Sequence, residues 1–167
     1  DGMVKDFYWV IPGGRQEVEA NSEMLKRILG NLSRKDPFSM SEIDMRDGIL
    51  RAVIYGKNFM VTTLEDLSQG LNDVLLDIDV DYLTTDSVNK STAMQEIGHR
   101  FPWIWPDELV CQIRSKEIIP SCITIAYSVN GGFTPIIYKF FGDQIAELLQ
   151  GSNRMFGSML DLQKQAL

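Results

Sequence analysis

The sequence contains three aspartates at alternate positions, Asp77, Asp79 and Asp81. Their type and spacing make them the strongest candidates in the chain for a metal-binding or catalytic site. They lie in segment 72–83, which lacks Gly and Pro and carries apolar side chains at the intervening positions. This alternation predicts a β-strand, in which side chains two residues apart share a face at a spacing of about 6.5–7 Å. Carboxylates on one face repel one another, so they call for a cation, a basic side chain or water. We therefore predict a divalent-metal site at these aspartates; a plain strand end with solvated or arginine-paired carboxylates is the alternative.

Composition narrows the class of protein and the choice of partners. The chain has 167 residues, 44% of them hydrophobic and 23% charged. It contains no signal peptide and no run of about 18 apolar residues, so we expect one cytoplasmic domain over 1–167 that does not enter a membrane. The net charge of -7, without a Lys/Arg-rich segment, argues against a nucleic-acid partner. Cys111 and Cys122 lack the spacing of a metal motif, and the single histidine, His99, cannot supply a His-rich zinc site.

Strands and helices alternate along the sequence. Strands are predicted at 3–11, 49–55, 59–63, 72–83 and 121–127. The turn residues Gly56-Lys57-Asn58 predict a hairpin between the second and third of these strands. The main predicted helices cover 16–33, begin at Pro106, and follow Thr134-Pro135 with an apolar stripe of Ile137, Phe140, Phe141, Ile145, Leu148 and Leu149. Further helices are predicted from Ser41, Ser91 and Ser152.

The two strands 72–83 and 121–127 are apolar enough to predict burial on both faces. Together with the alternation of strands and helices, this predicts an α/β domain of three layers, α/β/α, with a mostly parallel sheet. In such sheets ligands bind outside the carboxyl ends of the strands. Asp79 and Asp81 lie at the carboxyl end of the predicted strand 72–83. The loop after the predicted strand 121–127 contains Ser128, Asn130 and Gly131, and we expect this loop to face a small-molecule substrate. Because the chain begins on a core strand, we also expect further sequence upstream of it.

Two other uses of closely spaced aspartates can be weighed against the sequence. An EF-hand loop starting at Asp77 would need Gly and Glu where the chain has Tyr82 and Val88, so this type of calcium site is excluded. A phosphatase of the haloacid-dehalogenase type would use Asp77 as nucleophile and Asp79 as acid/base. Asp81 stands where that motif has Thr or Val, and the motif lies in the middle of the chain. This phosphatase remains an alternative.

The segment Leu76–Tyr82 resembles the Leu-Asp-Ile-Asp-x-Asp-Tyr/Phe motif of an uncharacterised family in the arginase/deacetylase superfamily. The resemblance extends to residues 8–12, 103–106 and 125–135, and so takes in most of the chain. It implies an arginase-like fold and hydrolysis of C–N bonds with manganese or another divalent ion. It further implies that Asp77 bridges two ions, that Asp79 chelates one, and that Asp81 is a third ligand or supports the ligands.

The resemblance is incomplete on the amino-terminal side. The superfamily also takes a His and an Asp-x-His-x-Asp motif from earlier strands, and nothing before Asp77 matches them. The resemblance therefore implies either that the first strands of the fold precede Asp1 or that the metal site has been lost. In the second case we expect a non-catalytic α/β interaction domain. A sheet without its first strands exposes an edge or a face, which predicts a homo-oligomer.

Overall fold

The computed structural model describes residues 4–33, 43–84 and 101–151, except for the side chains of residues 32 and 33. The chain divides into two compact units, Asp1–Ser68 and Gln69–Leu167. The predicted helices from Ser41, Ser91 and Ser152, and the histidine His99, lie outside the described residues. The single domain over 1–167 stays a prediction.

Four strands form a mixed sheet in the first unit: β1 (Asp6–Ile11), β2 (Asp44–Arg46), β3 (Ile49–Ile54) and β4 (Lys57–Thr63), in the order β1-β4-β3-β2. β1 and β4 run parallel, whereas β3 pairs antiparallel with both of its neighbours. Tyr55 and Gly56 join β3 to β4, both at positive φ (52° and 69°). Positive φ at both central residues is the geometry of a tight two-residue hairpin turn. The hairpin predicted from the sequence is confirmed, but its turn is not at Gly56-Lys57-Asn58 as predicted, because Lys57 and Asn58 already belong to β4.

Two helices pack on one face of this sheet. They are α1 (Arg15–Ala20) and α2 (Ser22–Ser33), where the sequence predicts one helix over 16–33. Asn21 separates them, and its Nδ2 atom donates to the Glu17 carbonyl at 2.8 Å, which places a side-chain donor on a helical acceptor. Buried side chains from helices and strands form one core: Val18, Leu25, Leu29, Ile11, Leu50, Ala52, Ile54 and Val61.

The second unit contains a two-stranded parallel sheet of β5 (Asn72–Asp79) and β6 (Ile119–Ala126). A 3₁₀ helix (Val80–Thr84) follows β5, and helix α3 (Pro106–Ser115) precedes β6. As predicted, α3 begins at Pro106, whose missing N–H costs nothing in a first turn. Its buried residues are Pro106, Leu109, Val110 and Ile113.

The prediction that β5 and β6 are buried on both faces is wrong for the described structure. Leu75, Asp77 and Asp79 on β5 are exposed, and so are Cys122, Thr124 and Ala126 on β6. Ile78 on the other face is buried, and Leu76, Ile123 and Ile125 are half-buried. Exposed and more buried residues alternate in this part of the strands, which is the pattern of a sheet with one covered face. The apolar content alone therefore overstated the burial.

The chain after β6 also departs from its predicted stripe. A 3₁₀ helix (Ile136–Tyr138) comes first, and helix α4 covers 140–151. Phe141 and Ile145 are buried as predicted, whereas Ile137 and Phe140 are largely exposed. The change from three to 3.6 residues per turn rotates Ile137, in the 3₁₀ helix, out of register with the side chains of α4, whereas Phe140 is exposed within α4 itself.

The described residues are therefore α/β in class. The predicted parallel pairing is present for β1 with β4 and for β5 with β6, and short turns impose antiparallel pairing at β3. Among the helices that the structure describes, none has the length and apolar character needed to cross a membrane.

Candidate functional site

Asp77 and Asp79 lie on the exposed face of β5, near its carboxyl end. Leu76 and Ile78 point to the covered face, so the alternation predicted from the sequence is confirmed for this pair. In the parallel pairing with β6, Asp77 lies opposite Thr124, and Asp79 lies opposite Ala126. The carboxyl ends of both strands consequently meet at one edge of the sheet, which is where α/β proteins bind ligands.

Asp81 does not share this face, and the prediction of three carboxylates on one strand face is wrong. The strand ends at Asp79, and Asp81 lies in the 3₁₀ helix that follows. The backbone N–H of Asp81 donates to Oδ1 of Asp79 at 3.4 Å, a turn in which an aspartate side chain replaces a backbone acceptor. Val80 and Leu83 are both buried, and their three-residue spacing suits a 3₁₀ helix rather than a strand.

Hydroxyl groups from β6 and its loop orient the two carboxylates. The Thr124 hydroxyl donates to Oδ1 of Asp77, and the Ser128 hydroxyl donates to Oδ1 of Asp79 at 2.5 Å. Within the described ranges, Oδ2 of Asp77 and Oδ2 of Asp79 accept no hydrogen bond. Each carboxylate is thus fixed through one oxygen and retains a second oxygen on the open side of the sheet.

The predicted substrate-side loop follows β6 directly, and Ser128 anchors it. Ser128 has φ of 52°, a left-handed conformation that is costly for a residue with a Cβ atom. Its carbonyl accepts hydrogen bonds from the N–H groups of Phe133 and Thr134, both at 3.2 Å. Asn130 and Gly131 are exposed in the turn between these anchors. The structure therefore brings Ser128 to Asp79, and it shows no contact of Asn130 or Gly131 with the carboxylates.

Sequence reasoning missed three residues near this edge. The first is Thr124, which donates to Asp77. The other two are Tyr127 and Asp143: the Tyr127 hydroxyl donates to Oδ1 of Asp143 at 2.5 Å, and this bond raises the pKa of Tyr127. Alternation along β6 places Thr124 on its exposed face, but only the register with β5 places it beside Asp77. The Tyr127–Asp143 pair joins a loop to a helix 16 residues later and leaves no periodic signal.

Among the described residues of the second unit, three polar atoms are buried without a hydrogen-bond partner: the hydroxyls of Tyr82, Thr84 and Thr134. Burial raises the pKa of Tyr82 to about 12, because the phenolate would lose its hydration. The Tyr82 ring packs edge-on against Trp103 with 5.4 Å between the ring centroids. The segment after Asp79 is therefore rigidly packed, which holds the end of β5 in place.

The donors at this edge suit a hard divalent cation in kind, but they are few. Carboxylate and hydroxyl oxygens are ligands of magnesium, manganese and calcium. In the part of the chain that the structure describes, no group of three or more His, Cys, Asp or Glu side chains could hold a metal ion. Asp77 and Asp79 would supply two carboxylates, and water would have to fill the other coordination positions.

The first unit contains a separate open groove of about 430 Å³ on the sheet face opposite the helices. Tyr8, Arg51 and Met60 line it, together with Asp6 and Asn58 at one end. The Asn58 amide donates to Asp6 at 2.6 Å, and the Arg51 guanidinium donates to the Arg46 carbonyl at 3.0 Å. Asp6, Asn58 and Arg51 each have a hydrogen-bond partner, and none of the residues predicted to bind a ligand lies here.

Comparison of the chain with protein-family models, with curated proteins and with solved structures finds no match.

Proposed function

We propose that this chain is a divalent-metal-dependent hydrolase of C–N bonds, in a three-layer α/β/α domain of arginase-like fold. Asp77 and Asp79 are its metal-binding residues, with manganese the expected ion. Asp81 supports the site through its backbone N–H group. The resemblance of Leu76–Tyr82 to the arginase/deacetylase superfamily suggests this class of reaction.

One observation carries the proposal: Asp77 and Asp79 lie together on an exposed strand face, each held through Oδ1 by a hydroxyl from the neighbouring strand or loop. Two adjacent carboxylates on one face repel each other, and a cation between them would remove that repulsion. The alternative of arginine-paired carboxylates loses support, since no basic side chain within the described ranges pairs with either aspartate. The parallel pairing of β5 with β6 agrees with the proposed fold.

The residues at this edge have separable tasks in the proposed reaction. Asp77 and Asp79 would hold the ion, while Thr124 and Ser128 keep the carboxylate planes from rotating away. When bound, a divalent ion would supply Lewis-acid activation of water for the hydrolysis. The loop after Ser128 forms the wall against which a small substrate rests.

Titration calorimetry with manganese tests the metal site. We expect the wild type to bind, and Asp77→Asn and Asp79→Asn each to weaken binding about tenfold or more, because each removes one charge from the site. Asp73→Asn is the matched control, since Asp73 is an exposed aspartate of the same strand outside the carboxylate pair. Absent binding in the wild type, or equal binding in all four proteins, would contradict the metal proposal.

Activity assays then separate the two chemistries that use these aspartates. Release of ammonia or urea from guanidino and amide compounds, dependent on manganese and on both aspartates, is expected for the hydrolase. Hydrolysis of a generic phosphate ester with magnesium, abolished by Asp77→Asn, would instead identify the phosphatase. The second result would overturn the proposed reaction and keep the site.

A second candidate function, a self-associating interaction domain, rests on a different observation. The segment 133–140 exposes four large apolar side chains, Phe133 (61%), Ile136 (67%), Ile137 (59%) and Phe140 (49%). We call these four residues the apolar segment. So much exposed apolar surface within eight residues is typical of a contact surface, and we propose a second copy of the chain as its partner.

Sedimentation velocity tests the second candidate. Wild type is expected to associate at micromolar concentration, and Ile137→Asp with Phe140→Asp is expected to give monomer. Val4→Asp is the control, because Val4 is a similarly exposed apolar residue of the first unit (51%). A wild type that sediments as a monomer would reject self-association and leave the metal proposal untouched.

A further inference from the structure

The loop after β6 contains the pair Asn130-Gly131, which is the only Asn-Gly pair in the sequence. Both residues are exposed. They occupy the two central positions of a turn that the Gly132 N–H closes by donating to the Val129 carbonyl at 3.0 Å. The pair is thus presented to water at the outermost point of the loop.

An asparagine deamidates when its side-chain carboxamide reacts with the backbone nitrogen of the next residue. In the described part of the chain, neither the Asn130 carboxamide nor the Gly131 N–H makes a hydrogen bond. Three other asparagines differ: Asn21 donates to the Glu17 carbonyl, Asn58 to Asp6, and Asn72 to the Gly70 carbonyl. A carboxamide held by a hydrogen bond must break that bond before it can turn toward the following amide.

Glycine at position 131 permits the reaction and leaves room for the neighbouring Phe133 ring. A Cβ atom there would stand 2.8 Å from the Phe133 ring, so a larger residue would displace the ring. Without a Cβ, the Gly131 nitrogen is also open to approach by the Asn130 side chain. The absence of a side chain at 131 therefore both leaves the Phe133 ring undisturbed and makes the Asn130-Gly131 pair chemically labile.

We propose that Asn130 is a site of spontaneous deamidation, with water as the only co-reactant. The deprotonated Gly131 nitrogen attacks Cγ of Asn130, the N–Cγ bond forms, the Cγ–Nδ2 bond breaks, and ammonia leaves. Water then adds to either carbonyl of the cyclic imide and opens it to aspartate or isoaspartate. No electrons are exchanged, and the chain becomes one charge more negative than its present -7.

Either product changes the end of β6 near Asp79. Isoaspartate adds a methylene to the main chain between Val129 and Gly131, so the turn closed by Gly132 can no longer form as it stands. The anchors on the Ser128 carbonyl, from Phe133 and Thr134, then loosen. The proposal holds whether or not the site binds a metal.

Peptide mapping by mass spectrometry after incubation of the folded full chain at mildly alkaline pH tests the proposal. Isoaspartyl methyltransferase labelling identifies the isoaspartate product. We expect modification at Asn130 severalfold faster than at Asn21, Asn58 or Asn72, and faster exchange of the Phe133 and Thr134 amide hydrogens in the modified chain. Asn130→Gln, which keeps a carboxamide but disfavours ring closure, should abolish the signal at 130.

A parallel incubation in urea shows how the fold affects the rate of deamidation at Asn130. Modification of Asn130 at a similar rate in folded and unfolded chain is expected, because the folded loop leaves both reacting groups open. A folded chain that is severalfold slower than the unfolded chain at Asn130, or no faster there than at Asn58, would overturn the proposal.

Discussion

Asp79 is held from two directions, by the Ser128 hydroxyl and by the Asp81 N–H group. The pairing of Asp77 with Asp79 on one face could be predicted, because a period of two residues fixes which side chains share a face. That Thr124 is the partner of Asp77 could not be predicted. A slip of one residue between β5 and β6 would turn Thr124 to the other face, and nothing in the sequence fixes that register.

The backbone at Ser128 supports a prediction at this scale. We expect Ser128→Ala to be less stable than Ser128→Gly by about 1 kcal/mol, because alanine keeps the cost of positive φ and glycine removes it. Both variants lose the hydrogen bond to Asp79, so the comparison isolates the backbone. Urea unfolding midpoints measure the difference.

Ser121 in β6 is the matched control for Ser128. It lies within a strand and has no positive φ, so the order of the two variants should reverse, with Ser121→Gly the less stable. A Ser128→Ala variant that equals or exceeds Ser128→Gly would show that the loop does not hold this residue in the left-handed conformation.

Tyr82 makes the stability of the chain sensitive to alkaline pH. Its folded pKa of about 12 lies above the ordinary value of 10.0, because the buried hydroxyl resists ionisation. Below pH 10 both folded and unfolded chains hold the proton, and no effect arises. Between pH 10 and pH 12 the unfolded chain loses the proton first, so folding stability falls, by at most about 3 kcal/mol from this residue.

Tyr82→Phe is expected to flatten that decline. It also removes a buried hydroxyl that has no hydrogen-bond partner among the residues that the structure describes, so the variant should be at least as stable as wild type at neutral pH. Thermal melts of both proteins from neutral pH to pH 11 provide the measurement. Parallel declines in the two proteins would assign the alkaline sensitivity to other groups.

At the scale of elements, short-range signals predicted the structure well and long-range ones did not. The β3–β4 hairpin and the start of α3 at Pro106 follow from local turn and capping chemistry, although the turn lies at Tyr55-Gly56, one residue earlier than predicted. The exposure of Ile137 could not be predicted in this way. The apolar stripe assumed one continuous helix, and the 3₁₀ helix at Ile136–Tyr138 changes which side chains face inward.

Two helical glycines provide a paired prediction. A Cβ atom at Gly142 would stand 2.5 Å from the Tyr127 ring, whereas one at Gly30 would meet nothing within 4 Å. Gly30→Ala is therefore expected to stabilise the first unit by up to about 1 kcal/mol through helix propensity. Gly142→Ala should destabilise the second unit by about 1–3 kcal/mol through overpacking.

A double-mutant cycle checks the cause. In a Tyr127→Ala background, Gly142→Ala is expected to have a neutral or favourable effect on stability, because the ring that its Cβ atom would contact is absent. If Gly142→Ala costs the same in both backgrounds, the close approach to Tyr127 is not what requires glycine at position 142.

At the scale of the whole molecule, acidity opposes the association proposed for the apolar segment. Each chain carries a net charge of -7, so two copies repel each other at low ionic strength. Added salt screens this repulsion and leaves apolar contact intact. We expect the weight-average mass of the wild type in sedimentation equilibrium to rise with salt concentration. The mass of the variant with Ile137→Asp and Phe140→Asp is expected not to change with salt concentration. A mass that falls with salt would mean that polar contacts hold the copies together.

The parallel pairing of β5 with β6 also determines when the candidate site can form. Asp77 and Thr124 are 47 residues apart in the chain, and Asp79 and Ser128 are 49 apart. A parallel pair cannot close through a tight turn, so these contacts have high contact order and form slowly. On the ribosome, at about 5–20 residues per second, β5 emerges on the order of seconds before its partner strand. During that interval the two carboxylates have neither hydroxyl, and the nascent chain exposes the β5 edge to any other strand that it meets.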